Sequence, residues 1–525
     1  MKTEIRVLMA AAENGALTGG KVGGMGDVIR DLPSALASQG VRADLIMPGY
    51  GRFATQQQAE ELARIQVAYG TQKETLVLYR CANPVSAESS LYLLEHPLFA
   101  AAGAGAIYDS SHQGEPYALD AAKFALFCLG VAEALHQNLL ETYHCLHLHD
   151  WHTALLALLR THHPRYASLK QVRCVYSIHN LAHQGIRPLG GSSSSLAHWF
   201  PGLSLELGSR VLGPLVDPRY PGCINPMRCA INLADKIHLV SPGYAKEVLR
   251  PNQPQLGFRG GEGLEADLRR RHEQGDLVGI INGIEYPQPA SALGEFHRLM
   301  QLASDSLIRW QAKKQWVAAQ DYIASQRMRM WPAQQEPELL LTSVCRLTDQ
   351  KVALLLHTSD NGCTVLETLL EELATHCPTG LYLMLGNGNG DIEAQLQQIA
   401  ARHPNFWFLN GYHEPLSNAL YRRGDLFLMP SSFEPCGLSQ LLAMREGQPV
   451  LAHAVGGLSD TIEDNRTGLL FRGDGPDAQG EALLNRFREF LALTRAERRA
   501  LSDAARAARF DWQAPAALYR QHLYC

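Results

Sequence analysis

A chain of 525 residues with a formal charge of −5 is too long for one core and too weakly charged to coat a nucleic acid, so two large domains and no nucleic-acid partner are expected. Its balance of 46% apolar and 19% charged residues is that of a globular protein, and no stretch approaches the roughly 20 apolar residues of a membrane span. The 11 cysteines are odd in number, scattered and without a C-x-x-C pair, and the apolar run Val7 to Ala12 is too short for a secretory signal; both indicate a reducing, cytoplasmic setting.

The first predicted strand, Ile5 to Ala11, leads into "GGKVGGMGDVIRDLP", where five glycines and Lys21 fall within eight residues. Gly15, Gly20 and Lys21 nearly complete a P-loop, but Val22 stands where a magnesium-holding Ser or Thr is needed, which argues against a nucleotide hydrolase. What remains is a strand-to-helix turn whose glycines let backbone amides approach an anion. Lys21 adds a cation there, and Asp27, one turn into the helix, either bonds a sugar or braces the loop. A tight turn serving packing alone is the plainer reading, and the turn by itself leaves both open.

Further strands of the first half are Val41 to Met47, Cys145 to Leu148, Val172 to Ile178, Ile237 to Val240 and Leu277 to Ile281. Two of them end in polar clusters. "HLHDWHTALL" gathers His147, His149, Asp150, Trp151 and His152; "YSIHNLAHQG" gathers His179, Asn180 and His183. The histidine spacings resemble short zinc motifs, but no cysteine or glutamate pattern completes a site. Directional donors and acceptors beside a tryptophan suit sugar hydroxyls better. Taken singly, each histidine reads as a core residue and Asp150 as a helix cap; two such clusters at matching strand ends point to a ligand. The serine run Gly190 to Leu196 is expected to be a mobile loop.

The strand series pauses between about Pro287 and Pro337, and the domain boundary is placed at the start of that pause. Domains are therefore expected at 1–285 and 338–505, with a helical insertion or linker at 286–337. Its periodic stretch, Phe296 to Met330, suits packing on either domain. Strands then resume at Leu339 to Val344, Gly380 to Leu385, Phe406 to Leu409, Leu426 to Pro430, Pro449 to Ala452 and Gly468 to Phe471. Continuous apolar strands alternating with helices mean parallel sheets covered on both faces, which bind ligands at the carboxyl ends of their strands. If two such domains face each other, the ligand lies in the cleft between them.

Arg346 and Lys351 follow the strand ending near Val344, and two fixed cations there suit a diphosphate without a metal; the chain has no D-x-D pair. In "PSSFEPCGLSQLLAM", Glu434 sits in a strand-to-helix turn before a helix expected over Gly437 to Met444. Its carboxylate suits sugar hydroxyls or developing positive charge at a sugar carbon, and amides near Leu438 and Ser439 suit a phosphate. The plainer reading is a carboxylate complementing a helix dipole. "GNGNG" and "AVGGLSDTI" are further glycine turns; the first lacks the dinucleotide spacing.

Taken in order, "KVGGMGDV", "HDWHTALL", "SIHNLAHQG", "INGIEYP", "CRLTDQK", "NGYHEP", "SSFEPCGLSQ" and "GGLSDT" resemble the markers of the bacterial glycogen synthases and plant starch synthases, glycosyltransferase family GT5. They run from Lys21 to Thr461, and the tail "FDWQAPAALYRQHL" is similar to the family's closing helix. The resemblance implies an α/β fold of the GT-B type: two Rossmann-like domains across a deep cleft, with 506–525 crossing back to the first. It implies transfer of glucose from ADP-glucose to the non-reducing 4-hydroxyl of an α-1,4-glucan such as glycogen, with retention and with neither metal nor cofactor. Lys21, Gly23 and Gly24 would lie against the donor, with Asp27 nearby. His179 would face the reacting sugar; Asp150, Asn180 and Asn282 would bind hydroxyls. Arg346 and Lys351 would hold the diphosphate, Tyr412 would stack on the base and Glu434 would bind the glucose. Cys436, Gly437, Leu438 and Ser439 would line the phosphate. Glu434, His179, Arg346, Lys351 and Asp150 form the expected catalytic group.

The chain departs from the family pattern at Val22 for threonine, Ser432 for arginine, and His453 and Ala454 for two arginines. The "WNP" after "NGID" is missing, and the stretch 296–330 is long. Alternatives are a related transferase using UDP-glucose or another acceptor, and a catalytically silent glucan-binding regulatory protein. An ion-pair and a covalent route through Glu434 both remain open.

Overall fold

The computed structural model describes residues 4–109, 117–286, 296–314, 317–332, 335–359 and 362–525. The chain forms two compact units, one of residues 1–252, 260–285 and 511–525, the other of 253–259 and 286–510. The expected start of the interdomain pause, Pro287, lies outside the described residues.

The first unit is built on a nine-stranded sheet. Its strands are β1 (Ile5–Ala10), β2 (Val41–Pro48), β3 (Glu60–Tyr69), β4 (Gln72–Asn83), β5 (Ser86–Glu95), β6 (Cys145–His149) and β7 (Arg173–Ile178); a two-strand ribbon, β8 (Arg187–Pro188) and β9 (Cys223–Ile224), stands apart, and β10 (Lys236–Leu239) and β11 (Leu277–Gly279) complete the sheet. The order is β11-β10-β7-β6-β1-β2-β5-β4-β3. All neighbours are parallel except β5–β4 and β4–β3. The six strands expected here are present. β3, β4 and β5 were not expected; β3 and β4 alternate exposed and buried residues instead of forming a continuous apolar run, as antiparallel strands with one wet face do, whereas β5 is a continuous buried run from Ser89 to Leu94.

The helix Ala118–His136 is buried along nearly its whole length. A Cβ on its Gly130 would lie 2.7 Å from Leu76 Cδ2, so the helix backbone rests directly on β4. The serine run expected to be mobile is bonded in place: Ser194 Oγ donates to the Ala118 carbonyl at 2.9 Å, and Ser195 Oγ caps the helix Leu196–Trp199. The tail helix Gln513–Tyr519 belongs to this unit, and Trp512 packs on Gly283, where a Cβ would approach to 2.8 Å.

The second unit holds an all-parallel six-stranded sheet: β12 (Leu340–Val344), β13 (Leu381–Gly386), β14 (Phe406–Asn410), β15 (Leu426–Met429), β16 (Val450–His453) and β17 (Gly468–Phe471), in the order β14-β13-β12-β15-β16-β17. Period-two alternation sends Tyr382 and Met384 to one face and Leu381, Leu383 and Leu385 to the other. The first face is covered by the helices carrying Leu366, Leu369, Leu373, Leu483 and Phe487. The second is covered in part by Phe296, Leu299, Ala303, Leu307 and Ala324. The periodic stretch 296–330 is thus two helices, Phe296–Gln311 and Ala319–Met330, packed on this sheet; residues 315 and 316 between them lie outside the described residues. The expected helix at Gly437 begins later, at Ser439, because Gly437 has φ +72° and cannot continue an α-helix. Among the described residues no helix is long and apolar enough to cross a membrane.

Candidate active site

In each sheet the chain reverses lateral direction once: between β1 and β6 in the first, between β12 and β15 in the second. Such switch points open a crevice beyond the strand ends. Lys21, Asp27 and Asp150 follow β1 and β6, and Arg346, Lys351 and Glu434 follow β12 and β15; Asn282 and Tyr412 instead follow the edge strands β11 and β14.

After β1 the chain makes the glycine turn. Glu13, 3% exposed, accepts the backbone amides of Val22 at 2.8 Å and Gly23 at 2.7 Å through Oε2. Its Oε1 accepts the Tyr108 hydroxyl at 2.8 Å. At Val22 and Gly23 the anion that the turn amides address is thus the protein's own carboxylate. The glycines are needed for close approach, since a Cβ on Gly20 would lie 2.6 Å from the Asn14 carbonyl oxygen. Gly24, exposed, opens the helix Gly24–Ser38 after Gly23 at the cap. Lys21 Nζ bonds Asp27 Oδ1 at 2.7 Å, and Arg30 approaches the same carboxylate at 3.2 Å. Of the two roles considered for Asp27, bracing the loop is the one the structure displays. Burial raises the Asp27 carboxyl above its ordinary pKa, against the pull of Lys21.

At the ends of β6 and β7 the histidines bond to one another and to hydroxyls. His147 Nε2 meets Ser177 Oγ at 2.7 Å, and Ser177 Oγ meets His238 Nδ1 at 2.7 Å. His147 Nδ1 meets the Tyr524 hydroxyl at 2.7 Å. His149 Nδ1 bonds His179 Nε2 at 3.0 Å, and His152 Nε2 meets Tyr108 at 3.1 Å. The zinc reading finds no support in this arrangement: among the described residues no three His, Cys, Asp or Glu side chains are grouped to hold a metal. Desolvation keeps the rings neutral: His179 is pushed down to about 3 and His238 to about 4, and His147, His149 and His152 lie well below the usual range.

Asp150 ties the two strand ends together. Its Oδ1 accepts the amides of His179 at 2.7 Å and Asn180 at 3.4 Å, while its own φ of +55° is a strained value for a residue with a Cβ. Burial lifts its carboxyl to about 7, opposed by those two amides. Asn180 Oδ1 accepts the Ala182 amide at 2.9 Å, closing its turn. Trp151 packs on Gly185, where a Cβ would come within 2.4 Å of the indole. His149 Nε2, His152 Nδ1 and Asn282 Oδ1 are among the buried polar atoms that have no hydrogen-bond partner among the described residues. Such atoms also occur away from the strand ends, at Thr161 and Trp199 among others; at His149, His152 and Asn282 they leave hydrogen-bonding capacity open beside the residues singled out from the sequence.

In the second unit, Lys351 from the first turn of the helix Asp349–Leu356 bonds Glu434 Oε2, and Ser431 Oγ meets the same oxygen at 3.3 Å. Glu434 is 5% exposed. Its turn is strapped on both sides. Gln350 Nε2 donates to the Phe433 carbonyl at 2.7 Å, the Ser432 amide donates to the Gln350 carbonyl at 2.9 Å, and the Gly457 amide donates to the Glu434 carbonyl at 3.0 Å. A Cβ on Gly457 would lie 2.1 Å from the Cys436 carbonyl oxygen, and one on Gly437 would lie 2.2 Å from Gln440 Oε1. Leu438 and Ser439 start the short helix Ser439–Arg445. Arg346 is exposed beyond β12. The "GNGNG" turn adjoins it, exchanging backbone hydrogen bonds with Leu347 at 2.8 and 2.9 Å. Tyr412 lies after β14, 56% exposed. His453, where the family pattern has arginine, is a buried neutral ring lowered to about 4. It meets the Ser431 carbonyl at 3.1 Å and stacks on Phe471, so it braces the glutamate turn and brings no charge.

The structure therefore unites Lys21 with Asp27, Asp150 with His179 and Asn180, and Lys351 with Glu434. Sequence reading missed Glu13, Tyr108, Ser177, His238, Gln350 and Ser431. Glu13 had a usable signal, a carboxylate at the end of β1 ahead of a glycine run.

Two Rossmann-like units, each with its polar groups at the switch point, define a glycosyltransferase of the GT-B type. Residues 6–270 match the starch synthase catalytic domain family and residues 338–488 the glycosyl transferases group 1 family. A glycogen synthase of Anaeromyxobacter sp. (strain Fw109-5) is 32% identical over 95% of this chain and 96% of its own. Another, of Francisella tularensis subsp. novicida (strain U112), is 31% identical over 85% and 82%. The catalytic domain of starch synthase IV from Arabidopsis thaliana, solved with ADP and acarbose, superposes with a TM-score of 0.74 at 23% identity, covering 99% of this chain and 98% of that one. The chain belongs to the glycogen synthase and starch synthase family.

Proposed function

We propose that this protein transfers glucose from ADP-glucose to the non-reducing 4-hydroxyl of an α-1,4-glucan such as glycogen, retaining the anomeric configuration. The observation that carries this reading is the buried Glu434 carboxylate held against Lys351 at the β12–β15 switch point. Departure of ADP builds negative charge on the diphosphate and positive charge on the sugar carbon. Fixed cations stabilise the first and a nearby carboxylate the second, with little reorganisation. Lys351 and Arg346 take the diphosphate in this reading, and Glu434 takes the glucose. Tyr412 stacks on the base. Asn282 Oδ1 and the open histidine nitrogens of the first unit receive sugar hydroxyls, and His179 stays neutral beside them. Lys21, Gly23 and Gly24 border the donor, with Asp27 fixing Lys21; Cys436, Gly437, Leu438 and Ser439 border the phosphate. The reading needs exclusion of water that would hydrolyse the donor. We place the reaction in the cytoplasm; no disulfide joins any of the cysteines, which fits a reducing compartment.

The test is incubation of the pure protein with labelled ADP-glucose or UDP-glucose and glycogen. Label incorporated from ADP-glucose is expected. Incorporation from UDP-glucose alone would reassign the donor, and glycogen binding with no transfer from either would make the protein a silent glucan binder.

A further inference from the structure

The inserted helix Phe296–Gln311 does more than cover the second sheet. It reaches the bridge Gly411-Tyr412-His413 that connects β14 to the helix Glu414–Arg423. The Trp310 indole lies flat on Gly411: a Cβ there would sit 2.5, 2.6 and 2.7 Å from three indole atoms. Gly411 has no positive φ to explain it, so the absent side chain is what admits the ring. On the other side of Tyr412, Ser306 Oγ meets His413 Nδ1 at 2.8 Å. Ser306 is fully buried, and its hydroxyl donates to the Leu302 carbonyl at 2.6 Å. The proton in the contact with His413 therefore comes from Nδ1. Both neighbours of Tyr412 are thus pinned by one helix.

Two further contacts hold β14, one beside the bridge and one at the strand's beginning. Glu393 accepts the Asn410 side-chain amide at 2.9 Å and the Gly388 backbone amide at 2.8 Å, linking the bridge to the "GNGNG" turn. Arg327, from the second inserted helix, donates to the Phe406 carbonyl at 2.7 Å at the other end of β14. The inserted pair therefore grips β14 at its beginning and just past its end. Between these anchors the Tyr412 ring stands 56% exposed. An exposed aromatic on a backbone fixed in advance loses less freedom on stacking than one on a loose loop.

We infer that Trp310 and Ser306 are positioning residues for the donor's base, and that through Tyr412 they set the discrimination between purine and pyrimidine nucleotide sugars. This rests on the reading that Tyr412 stacks on the base. A purine offers the larger face, so correct placement of the ring favours ADP-glucose over UDP-glucose more than it favours binding in general.

The experiment compares the full-length protein with Tyr412→Ala, Trp310→Ala, Trp310→Phe and Ser306→Ala. It reads kcat and KM for ADP-glucose, the ADP-glucose to UDP-glucose ratio of kcat/KM, and ADP affinity by calorimetry. Tyr412→Ala and Trp310→Ala are each expected to raise KM and weaken ADP about tenfold, to narrow the donor ratio, and to leave kcat within about twofold. Trp310→Phe is expected to recover most of the loss. Ser306→Ala, which removes one oxygen and remains testable should Trp310→Ala fail to fold, is expected to raise KM about threefold. If Tyr412→Ala leaves donor KM and ADP affinity unchanged, the stacking reading itself fails. If Tyr412→Ala has its effect but the Trp310 variants and Ser306→Ala do not, or if they lower kcat and leave KM and the donor ratio alone, the inference fails and the reading stands.

Discussion

At the ends of β6, β7 and β10 the histidine rings are held neutral and bonded to one another and to hydroxyls, whereas beyond β12 and β15 the polar groups are formally charged and partly reach solvent. His147, Ser177 and His238 form a closed hydrogen-bonded run; Lys351 and Glu434 form an ion pair with Arg346 exposed nearby. Both stand at the same place in the same kind of sheet, so the fold does not dictate the difference. The reaction proposed above accounts for it. Orienting a neutral sugar calls for fixed donors and acceptors with no net charge, which a dry pocket preserves. Releasing a diphosphate calls for cations that stay charged, which full burial would prevent.

The largest effect that tests this contrast falls on the charged cluster. Glu434→Gln keeps the shape of the turn and removes the charge, and kcat is expected to fall by about 10²–10³-fold with donor affinity largely kept; near-normal turnover in the glucan assay would remove Glu434 from the mechanism. Lys351→Ala is expected to lower kcat/KM for ADP-glucose by about 10²-fold, because it loses a diphosphate contact and leaves a buried carboxylate without its cation. Single-turnover kinetics separates that loss from slow product release.

Acid should distinguish the two units next. His147, His149, His152, His179 and His238 stay neutral when folded, but take up protons near pH 6.5 when unfolded. Their folded pKa values are depressed, so stability is lost as pH falls from about 6.5 toward 4, at up to about 1.4 kcal/mol per pH unit for each ring. Asp150 acts in the opposite sense. Raised to about 7, it holds its proton longer in the folded state and so favours folding as pH drops from 7 toward 4. Asp27, Glu95 and Glu285 are raised in the same sense as Asp150, and the five depressed rings outnumber these four carboxyls. Calorimetry at pH 7 and pH 5 should show the first unit's transition falling further than the second's, where the lowered histidine is His453. The smallest effect is structural: Gly437→Ala meets a left-handed backbone and the Gln440 side chain, and should cost about 1–3 kcal/mol in the second unit's thermal transition.

Twelve strands were legible because parallel strands buried on both faces are written as short unbroken apolar runs. β3 and β4 escaped because their burial alternates; "EELARIQVAY" is rich enough in Glu, Ala, Leu and Arg to pass for a helix. The candidate residues at the strand ends were legible as types, but their partners were not. Lys21 with Asp27 lies within reach of sequence reasoning, being six residues apart around one turn. Lys351 with Glu434 spans 83 residues and exists only once β12 and β15 are neighbours. The Glu13 carboxylate changed the meaning of the glycine turn. Nothing local announced that it folds back over Val22 and Gly23, because that contact depends on the curl of the eight and nine residues between them.

Residues 511–525 complete the first unit although they follow the whole of the second in the chain. Tyr519 and Tyr524 lie against the rings of His147 and His238, and Arg173 reaches the Leu523 carbonyl at 2.7 Å. During synthesis, then, the second Rossmann-like unit has all its strands outside the ribosome before the first can close. Throughout the translation of residues 286–510 the rings of His147 and His238 therefore lack the tyrosines that cover them in the folded chain.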